Sequence, residues 1–195
     1  MKKPSIIPGI RNITVSGRIA SGASTLAIHL SETLGWEFVN GGALFREFTA
    51  EKGLDIVYSS TRPDAFDLEY EEKIKKIIKE KSNYVIQSHL AAFDAQGIEG
   101  VFKILVVCED AEGVDKVEIR IDRLVNRDGK KVEDAKVEIL ERERENLEKW
   151  RRLYANNNQE WVYWDKKYYD LIVNTYSLNT EESTKVVLDY MLHKK

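Results

Sequence analysis

At 195 residues the chain is long enough for one domain with a substantial apolar core. Hydrophobic residues make up 43% of it and charged residues 32%, and its formal net charge of -3 argues against non-specific nucleic-acid binding as the main activity, because that binding needs a positive field. No apolar segment approaches the roughly 18 residues of a membrane span, and the N-terminus lacks an apolar stretch long enough for a signal peptide. These observations predict a cytoplasmic protein with no membrane partner.

Strands and helices alternate along the chain. The strands predicted from apolar runs cover residues 13–16, 36–39, 84–88, 102–108 and 170–174. Helices are predicted for 24–34, from 44 onward, for 67–81 and after a cap at Asn179 or Thr180, with a turn at 40–42 and an irregular stretch at 53–66. The runs 84–88 and 102–108 have no polar face, which favours parallel strands covered on both sides, and Cys108 is expected to be a buried thiol. The pattern predicts a three-layer α/β domain with a parallel sheet of about five strands.

A glycine-rich loop follows the first predicted strand directly. Residues 17–25 read GRIASGAST, and Gly17, Gly22 and Ser24 have the spacing of the phosphate-binding pattern G-x-x-x-x-G-K-[ST]. In such a loop, backbone N–H groups and a helix N-terminus converge on a phosphate. Ala23 stands where the pattern has lysine. The predicted phosphate-binding residues are Gly17, Ser21, Gly22, Ala23, Ser24 and Thr25; the alternative is a strand-to-helix turn that binds nothing.

Residues 113–154 are dense in charge and predict a helical hairpin that projects from a core formed by about 12–110 and 155–195. Many of its arginines are expected to pair with nearby glutamates on the surface. The side chains of the other arginines are expected to point into the protein if a polyphosphate lies under the hairpin, since phosphoryl transfer needs positive charge over the transferred group. The arginines concerned are Arg120, Arg123, Arg127, Arg142, Arg144, Arg151 and Arg152. The aromatic residues between 161 and 169 are expected to be core rather than a base-stacking surface.

Taken together, these motifs resemble the cytidylate kinase family, especially its archaeal-type branch within the P-loop nucleoside monophosphate kinases. Residues 13–17 lead into the loop, and residues 42–47, GALFRE, are similar to the family's G-x-x-F-R-x. Residues 120–129, RIDRLVNRDG, are similar to its lid segment R-x-x-R-x-x-x-R-E-G, and residues 169–175, YDLIVNT, to Y-D-L-V-I-N-T. The similarity extends over nearly the whole chain.

The resemblance implies a P-loop fold and phosphoryl transfer from ATP, with Mg²⁺, to a pyrimidine nucleoside monophosphate, most of all CMP or dCMP. It implies that Ser24 holds the metal and that Arg46 holds the acceptor's phosphate, within an acceptor site that includes Gly42, Gln87 and His89. The hairpin would close as a lid. Its arginines Arg123, Arg127 and Arg142 would then lie over the transferred group, with no general base required.

Three departures from the family pattern stand out. Residues 87–89 read QSH where the family has E/D-G-R, and residues 67–73, the acceptor-base region, match the family's D-x-x-x-D-x-R only loosely. Ala23 replaces the lysine of the general pattern, at a position where the archaeal-type branch often has threonine. We expect Arg18, together with the lid arginines, to supply the missing positive charge.

Two other functions stay open on the sequence alone. The departures at Ala23 and Gln87 are also compatible with a regulatory protein that binds a nucleotide without turning it over. A nucleic-acid-binding or assembly protein would use the basic residues of the hairpin, but interspersed glutamates and the negative net charge argue against it. The expected partners are therefore small-molecule nucleotides, and the expected state is a monomer or a weak homodimer.

Overall fold

The computed structural model describes residues 4–53 and 62–193. Its centre is a sheet of five parallel strands: β1 (Asn12–Gly17), β2 (Glu37–Asn40), β3 (Tyr84–Gln87), β4 (Val101–Val107) and β5 (Leu171–Asn174). Their spatial order is β2-β3-β1-β4-β5. In register, Asn12 on β1 lies opposite Tyr84 on β3 and Val101 on β4, so the strands start together and their carboxyl ends share one edge. The predicted α/β class and five-stranded parallel sheet are confirmed.

Seven helices connect the described strands and cover both faces of the sheet. They are α1 (Ala23–Leu34), α2 (Gly41–Glu51), α3 (Asp64–Glu80), α4 (Ala91–Asp94), α5 (Val117–Asp128), α6 (Val132–Tyr154) and α7 (Thr180–His193). A short 3-10 helix, Lys166–Tyr168, precedes β5. On one face Leu30 of α1 and Val187 of α7 are fully buried against the sheet. On the other face Ile74 and Ile78 of α3 pack with Ile86 of β3.

Several predicted boundaries were wrong for identifiable reasons. Residues 40–42 are not a turn: α2 begins at Gly41, and the Asn40 side chain accepts a hydrogen bond from the Ala43 N–H at 3.0 Å, as a helix N-cap does. The third helix begins three residues earlier than predicted, because Pro63 precedes its first turn. The remainder of the predicted irregular stretch, 54–61, lies outside the described residues. Helix α4 has only four residues, too few to show a helical period.

Other local predictions are confirmed. Asn179 caps α7, since its side chain accepts from the Glu182 N–H at 3.0 Å while the Glu182 carboxylate accepts from the Asn179 N–H at 2.8 Å. Cys108 is buried. Trp161 and Tyr163, from the aromatic stretch, are buried as core residues.

The predicted hairpin consists of α5 and α6. Near its turn, Leu124 of α5 and Ile139 of α6 are buried together, and Ile19 and Ala20 of the glycine-rich loop pack against them. Further along α6, Trp150 packs with the aromatic residues of the core. The hairpin therefore contacts the loop at one end and the core at the other, and its role as a closing lid stays a prediction.

Candidate active site

A cleft of about 1100 Å³ opens at the carboxyl edge of the sheet. Open parallel sheets bind their ligands at this edge. The cleft is lined by the loop 17–25, the start of α2, the end of β3, α3, the hairpin and the residues after β5. All fourteen residues predicted for the site line it: Gly17, Arg18, Ser21, Gly22, Ala23, Ser24, Thr25, Gly42, Arg46, Gln87, His89, Arg123, Arg127 and Arg142. The structure therefore brings the predicted residues to one place, while their individual roles stay predictions.

The glycine-rich loop makes a tight turn between β1 and α1. A Cβ on Gly17 would lie 2.7 Å from the Val106 carbonyl oxygen and would collide with the Ser21 hydroxyl, so the backbone approach requires glycine. Gly22 has a φ of 99° immediately before α1, a left-handed conformation that side chains disfavour. Because the first N–H groups of a helix have no partner inside the helix, those at the start of α1 are available to an anion in the cleft.

Ser24 and Gln87 form a neutral oxygen site beside the loop. The Ser24 hydroxyl donates to Oε1 of Gln87 at 3.2 Å. Among the described residues no group of three or more His, Cys, Asp or Glu side chains could hold a metal by itself. Mg²⁺ prefers oxygen ligands and usually keeps several waters and substrate phosphate oxygens, so one or two protein oxygens are enough. The Ser24 hydroxyl and the Gln87 amide oxygen therefore fit a Mg²⁺ ion whose other ligands come from a polyphosphate and water.

Arg18 lines the cleft, but its guanidinium is bound to carboxylates. Its Nε donates to Oε1 of Glu143 at 2.8 Å, and Nη1 lies 3.1 Å from Oδ2 of Asp115. The guanidinium also lies over the ring of Trp164, 4.6 Å from its centre. In this arrangement Arg18 faces the hairpin side of the loop, and its charge is neutralised by protein groups.

Arg120 joins the same two carboxylates from inside the protein. It is fully buried, and its guanidinium donates to the Ile19 carbonyl at 2.8 Å, to Oε2 of Glu143 at 3.1 Å and to Oδ2 of Asp115 at 2.8 Å. These contacts connect the loop to both hairpin helices. In the sequence Arg120 is one of seven arginines of the hairpin and was not distinguished from the others. Its position on the apolar stripe of α5, three residues after Val117 and four before Leu124, was the available signal.

The three arginines predicted to lie over the transferred group have different environments. Arg123 donates from Nη1 to the Thr175 hydroxyl at 2.9 Å and from Nη2 to the Thr175 carbonyl at 2.7 Å, so it connects α5 to the segment after β5. Arg127 is 61% exposed and pairs with Asp128. Arg142 is 42% exposed and pairs with Glu138 at 3.1 Å. Within the described residues, Arg127 and Arg142 are held by ion pairs at the protein surface, which cost little to exchange for a phosphate.

The acceptor side of the cleft is formed by α2, α3 and the end of β3. Arg46 is exposed on α2, next to Gly42. The Tyr70 hydroxyl of α3 donates to the Gly41 carbonyl at 2.7 Å, which fixes the start of α2 against α3. An exposed arginine at this position can form two parallel hydrogen bonds to a phosphate.

His89 supports the loop from beneath. Its Nδ1 lies 2.9 Å from the Gly17 carbonyl and 3.3 Å from the Tyr163 hydroxyl. Burial, followed by the positive charge of Arg142, lowers the pKa of His89 below its ordinary value. The imidazole is therefore neutral at pH 7 and donates its Nδ1–H to the carbonyl, so that only Nε2 is left for a ligand.

Arg62 lines the acceptor side of the cleft and is linked to Lys149 through Asp67, and neither Arg62 nor Lys149 was predicted from a sequence pattern. Arg62 lies over the ring of Phe45, 4.9 Å from its centre, and its Nη2 is 3.2 Å from Oδ1 of Asp67. The Lys149 ammonium lies 2.5 Å from Oδ2 of the same aspartate and donates to the Arg62 carbonyl at 2.7 Å. Asp67 thus holds α6 and the chain before α3 together.

Comparisons with known proteins show which family the chain belongs to. No family model matches it. A cytidylate kinase from Natronomonas pharaonis is 33% identical, with 90% of this chain and 86% of that protein aligned. The chain belongs to the cytidylate kinase family. Further cytidylate kinases, from Haloarcula marismortui and Methanobrevibacter smithii, are 32% and 31% identical and align with 84% and 90% of this chain and 80% and 95% of their own lengths.

Solved structures show the same fold at lower identity. Shikimate kinase from Acinetobacter baumannii has a TM-score of 0.58 at 16% identity, with 95% of each chain aligned. A gluconokinase from Sinorhizobium meliloti 1021 has a TM-score of 0.54 at 15% identity, with 95% of this chain and 92% of that chain aligned. The chain therefore has the P-loop kinase fold. In the part of the chain that the structure describes, none of the helices is both long and apolar enough to cross a membrane.

The cleft of this chain differs in its distribution of charge from the phosphate-binding pattern with lysine. Ala23 removes a positive charge from the loop, and Gln87 puts a neutral amide where the family pattern has an acidic residue. Among the predicted site residues the positive charges are the guanidinium groups of the loop, α2 and the hairpin. The positive charge available to a polyphosphate therefore lies around the loop and not at position 23, where the pattern has lysine.

We predict that Arg120→Met lowers the free energy of unfolding by about 3 kcal/mol or more, because removing one partner of a buried ion pair typically costs about 3–5 kcal/mol. Urea denaturation measures the change. Arg144→Met is the matched control, since Arg144 is 55% exposed and, among residues 4–53 and 62–193, pairs with Glu141 and Glu148 on the surface of its own helix. The control should lose about 0.5 kcal/mol or less. Equal losses in the two variants would contradict a structural role for Arg120.

Proposed function

We propose that this member of the cytidylate kinase family transfers the γ-phosphoryl group of ATP to CMP or dCMP and releases ADP. The observation that carries the proposal is that a phosphate-binding loop, an exposed arginine on α2 and the arginines of the hairpin line the same cleft. The relatives named cytidylate kinase, which align with most of the chain, support CMP as the acceptor. The geometry supports a donor on the loop side and an acceptor on the side of α2 and α3.

In the proposed reaction the loop binds the donor phosphates through backbone N–H groups at the start of α1. Ser24 and Gln87 would hold Mg²⁺, which when bound neutralises charge on the β- and γ-phosphates. Arg46 would bind the acceptor's phosphate through two parallel hydrogen bonds, which places an acceptor oxygen in line with the γ-phosphorus. That oxygen is already ionised near neutral pH, so the chain needs no general base.

The charge that Ala23 lacks has to come from elsewhere in the cleft. Arg127 and Arg142 are held by exposed ion pairs, and Arg18 lies at the edge of the loop. Arg18 can leave Glu143 and Asp115 without leaving them unpaired, since Arg120 binds both carboxylates. We propose that Arg18 turns from these carboxylates to the phosphates when ATP binds, and that it shares the role of the missing lysine with Arg127 and Arg142.

A coupled assay of ADP release over CMP, dCMP, UMP and AMP tests the proposed function. We expect ATP-dependent ADP release with CMP or dCMP that depends on Mg²⁺. Isothermal titration of ATP in parallel distinguishes the kinase from the alternative that Ala23 favours, a protein that binds a nucleotide without turnover. ATP binding without ADP release for any acceptor would indicate this alternative.

We predict that Arg46→Ala raises the KM for CMP at least tenfold and changes the KM for ATP less than twofold. A hydrogen bond to a charged group is worth about 1.5–3 kcal/mol, which corresponds to a factor of roughly 10 to 150. Arg46→Lys keeps the charge but loses the second hydrogen bond, so its KM should lie between those of the wild type and the alanine variant. An unchanged KM for CMP in Arg46→Ala would remove this residue from the acceptor site.

We also predict that Arg18→Ala lowers kcat at least tenfold in the natural Ala23 background. Loss of one preorganised donor at a developing charge typically costs about 10²–10³ in rate, and here the loss is shared with other arginines. In an Ala23→Lys background the same substitution should cost much less, because the lysine supplies the charge. Equal effects in both backgrounds would show that Arg18 does not compensate for the missing lysine.

A further inference from the structure

Alternate carbonyl groups of the glycine-rich loop are bonded to side chains from other parts of the chain. The Gly17 carbonyl lies 2.9 Å from Nδ1 of His89, and the Ser21 carbonyl accepts from the Thr175 hydroxyl at 2.6 Å. The carbonyl between them, that of Ile19, accepts from the buried arginine of α5 at 2.8 Å. His89 follows β3 and Thr175 follows β5, so the loop is held from strands on both sides of β1.

A bonded carbonyl fixes the direction of its whole peptide unit. Because a trans peptide unit is planar, the N–H of the following residue points in the direction opposite to the carbonyl. The three bonded units therefore direct the N–H groups of Arg18, Ala20 and Gly22 away from the side chains that hold the carbonyls. These three residues line the cleft. The orientation of their N–H groups is thus imposed from outside the loop.

The backbone of the loop has a conformation that is unfavourable for one of its residues. Ala20 has a φ of 59° and Gly22 a φ of 99°, both in the left-handed region, which is uncommon for a residue with a Cβ. Successive N–H groups in such turns form a concave surface that binds anions. If its carbonyl loses its partner, a peptide unit can turn over, and its oxygen then faces a phosphate in place of the N–H. The bonds to the carbonyls therefore favour the anion-binding form of the loop.

The His89 ring has two separable roles, a hydrogen bond and packing. Since the Gly17 carbonyl can only accept, Nδ1 of His89 carries the proton. The Tyr163 hydroxyl also donates to this carbonyl, but at 3.5 Å. The ring itself packs with Trp150 and Tyr163, with ring centres 5.8 Å and 5.6 Å apart. One variant can remove the N–H and another the ring.

The Thr175 hydroxyl is likewise separable from the rest of its residue. It donates to the Ser21 carbonyl and accepts from Nη1 of Arg123 at 2.9 Å, whereas Nη2 of Arg123 binds the Thr175 carbonyl at 2.7 Å. Loss of the hydroxyl therefore leaves α5 attached to this segment. A Cβ on Gly22 would lie 3.2 Å from the Thr175 methyl carbon, so Thr175 contacts both residues of the peptide unit that it holds.

We propose that His89 and Thr175 are positioning residues for the phosphate donor, because they orient the N–H groups of the loop toward the donor phosphates through the Gly17 and Ser21 carbonyls. The inference rests on the proposed function, since it concerns the donor of that reaction. In this role His89 serves the donor, whereas the family resemblance implied that it binds the acceptor. Ala23 carries no charge, so the N–H groups provide a larger share of donor binding than in a loop with lysine.

The first test replaces His89 by phenylalanine and by asparagine. His89→Phe keeps a ring against Trp150 but loses the donor, whereas His89→Asn loses the ring but keeps an N–H close to the position of Nδ1. Calorimetric titration with AMP-PNP, a non-hydrolysable analogue of ATP, and Mg²⁺ measures the effect. The Kd should rise at least fivefold in His89→Phe and stay within twofold of the wild type in His89→Asn, since a hydrogen bond to a charged group contributes roughly a factor of 10 or more. The Kd for CMP should change less than twofold in both.

Two outcomes of this test would overturn the role of His89. A packing role would give the reverse order, with His89→Asn as the weaker binder of AMP-PNP. An acceptor role would raise the Kd for CMP and leave that for AMP-PNP unchanged. His193→Phe is the matched control, because Nδ1 of His193 also binds a backbone carbonyl, that of Asp189 at 2.6 Å, at an exposed position of α7. The control should keep both dissociation constants.

The second test replaces Thr175 by valine and by serine. Thr175→Val should raise the Kd for AMP-PNP at least fivefold, and Thr175→Ser should change it less than twofold because serine keeps the hydroxyl. Thr184→Val is the matched control, since Thr184 is a buried residue of α7 whose hydroxyl donates to the Thr180 carbonyl at 2.8 Å. A wild-type Kd in Thr175→Val would overturn the role of Thr175. This pair of variants also decides the matter if urea denaturation shows that His89→Phe does not fold.

The ADP-release assay on the same variants separates this inference from the proposed function. In His89→Phe the KM for ATP should rise and kcat should fall, while the KM for CMP changes less than twofold. If the wild type binds AMP-PNP but releases no ADP, phosphoryl transfer fails while the dissociation constants still measure the positioning role. If the wild type transfers phosphate to CMP and all four variants keep its Kd for AMP-PNP, the inference fails while the proposed function holds. A wild type that does not bind AMP-PNP would overturn both.

Discussion

A buried positive charge must be neutralised by its immediate neighbours, and Arg120 imposes this requirement where the loop meets the hairpin. Its guanidinium is fully enclosed and bonded to Asp115, to Glu143 and to the Ile19 carbonyl. A shift of the loop, of α5 or of α6 alone would break one of these bonds in a region that excludes water. The shape of the phosphate-binding loop is therefore set by the two hairpin helices as much as by the strand that precedes it.

This arrangement affects how the cleft can handle a polyphosphate. In a P-loop with a lysine, the positive charge moves with the loop itself. Here the Lys position holds Ala23, and the guanidinium groups nearest to the loop are held by Glu143, Asp115 and Thr175. In the proposed reaction Arg18, Arg127 and Arg142 each reach a phosphate by exchanging a carboxylate partner, so the acidic residues around the cleft compete with the phosphates for positive charge.

The sequence predicted the fold well because its signals are local. The strands are continuous apolar runs, and the loop has a fixed glycine spacing, so both could be read without tertiary information. Eleven of the fourteen predicted site residues line one cleft because they lie at or after the ends of β1, β2 and β3, and parallel strands place those ends at a common edge. The other three are the hairpin arginines, which reach the cleft from α5 and α6.

The features that the sequence did not predict depend on contacts between distant segments. Arg120 is chemically the same as its exposed neighbours, and only packing against the loop makes it a buried residue. The pairing of Glu71 with Asp94 joins two helices, α3 and α4, that are separated in sequence by β3. The Lys149 ammonium of α6 donates to the Arg62 carbonyl, 87 residues away in sequence. The start of α2 was missed because two glycines after Asn40 favour a turn locally, while the helix is stabilised by its cap and by Tyr70.

The position of Arg18 over Trp164 gives the loop an optical signal. An indole that lies under a guanidinium at 4.6 Å has a different fluorescence yield and emission wavelength from one that has lost this neighbour. The chain has four tryptophans, and the other three, Trp36, Trp150 and Trp161, are buried in the core. A variant in which Trp150, Trp161 and Trp36 are replaced by phenylalanine would leave a single indole beside the loop, and stopped-flow emission from it would report the proposed departure of Arg18 in solution without any added dye.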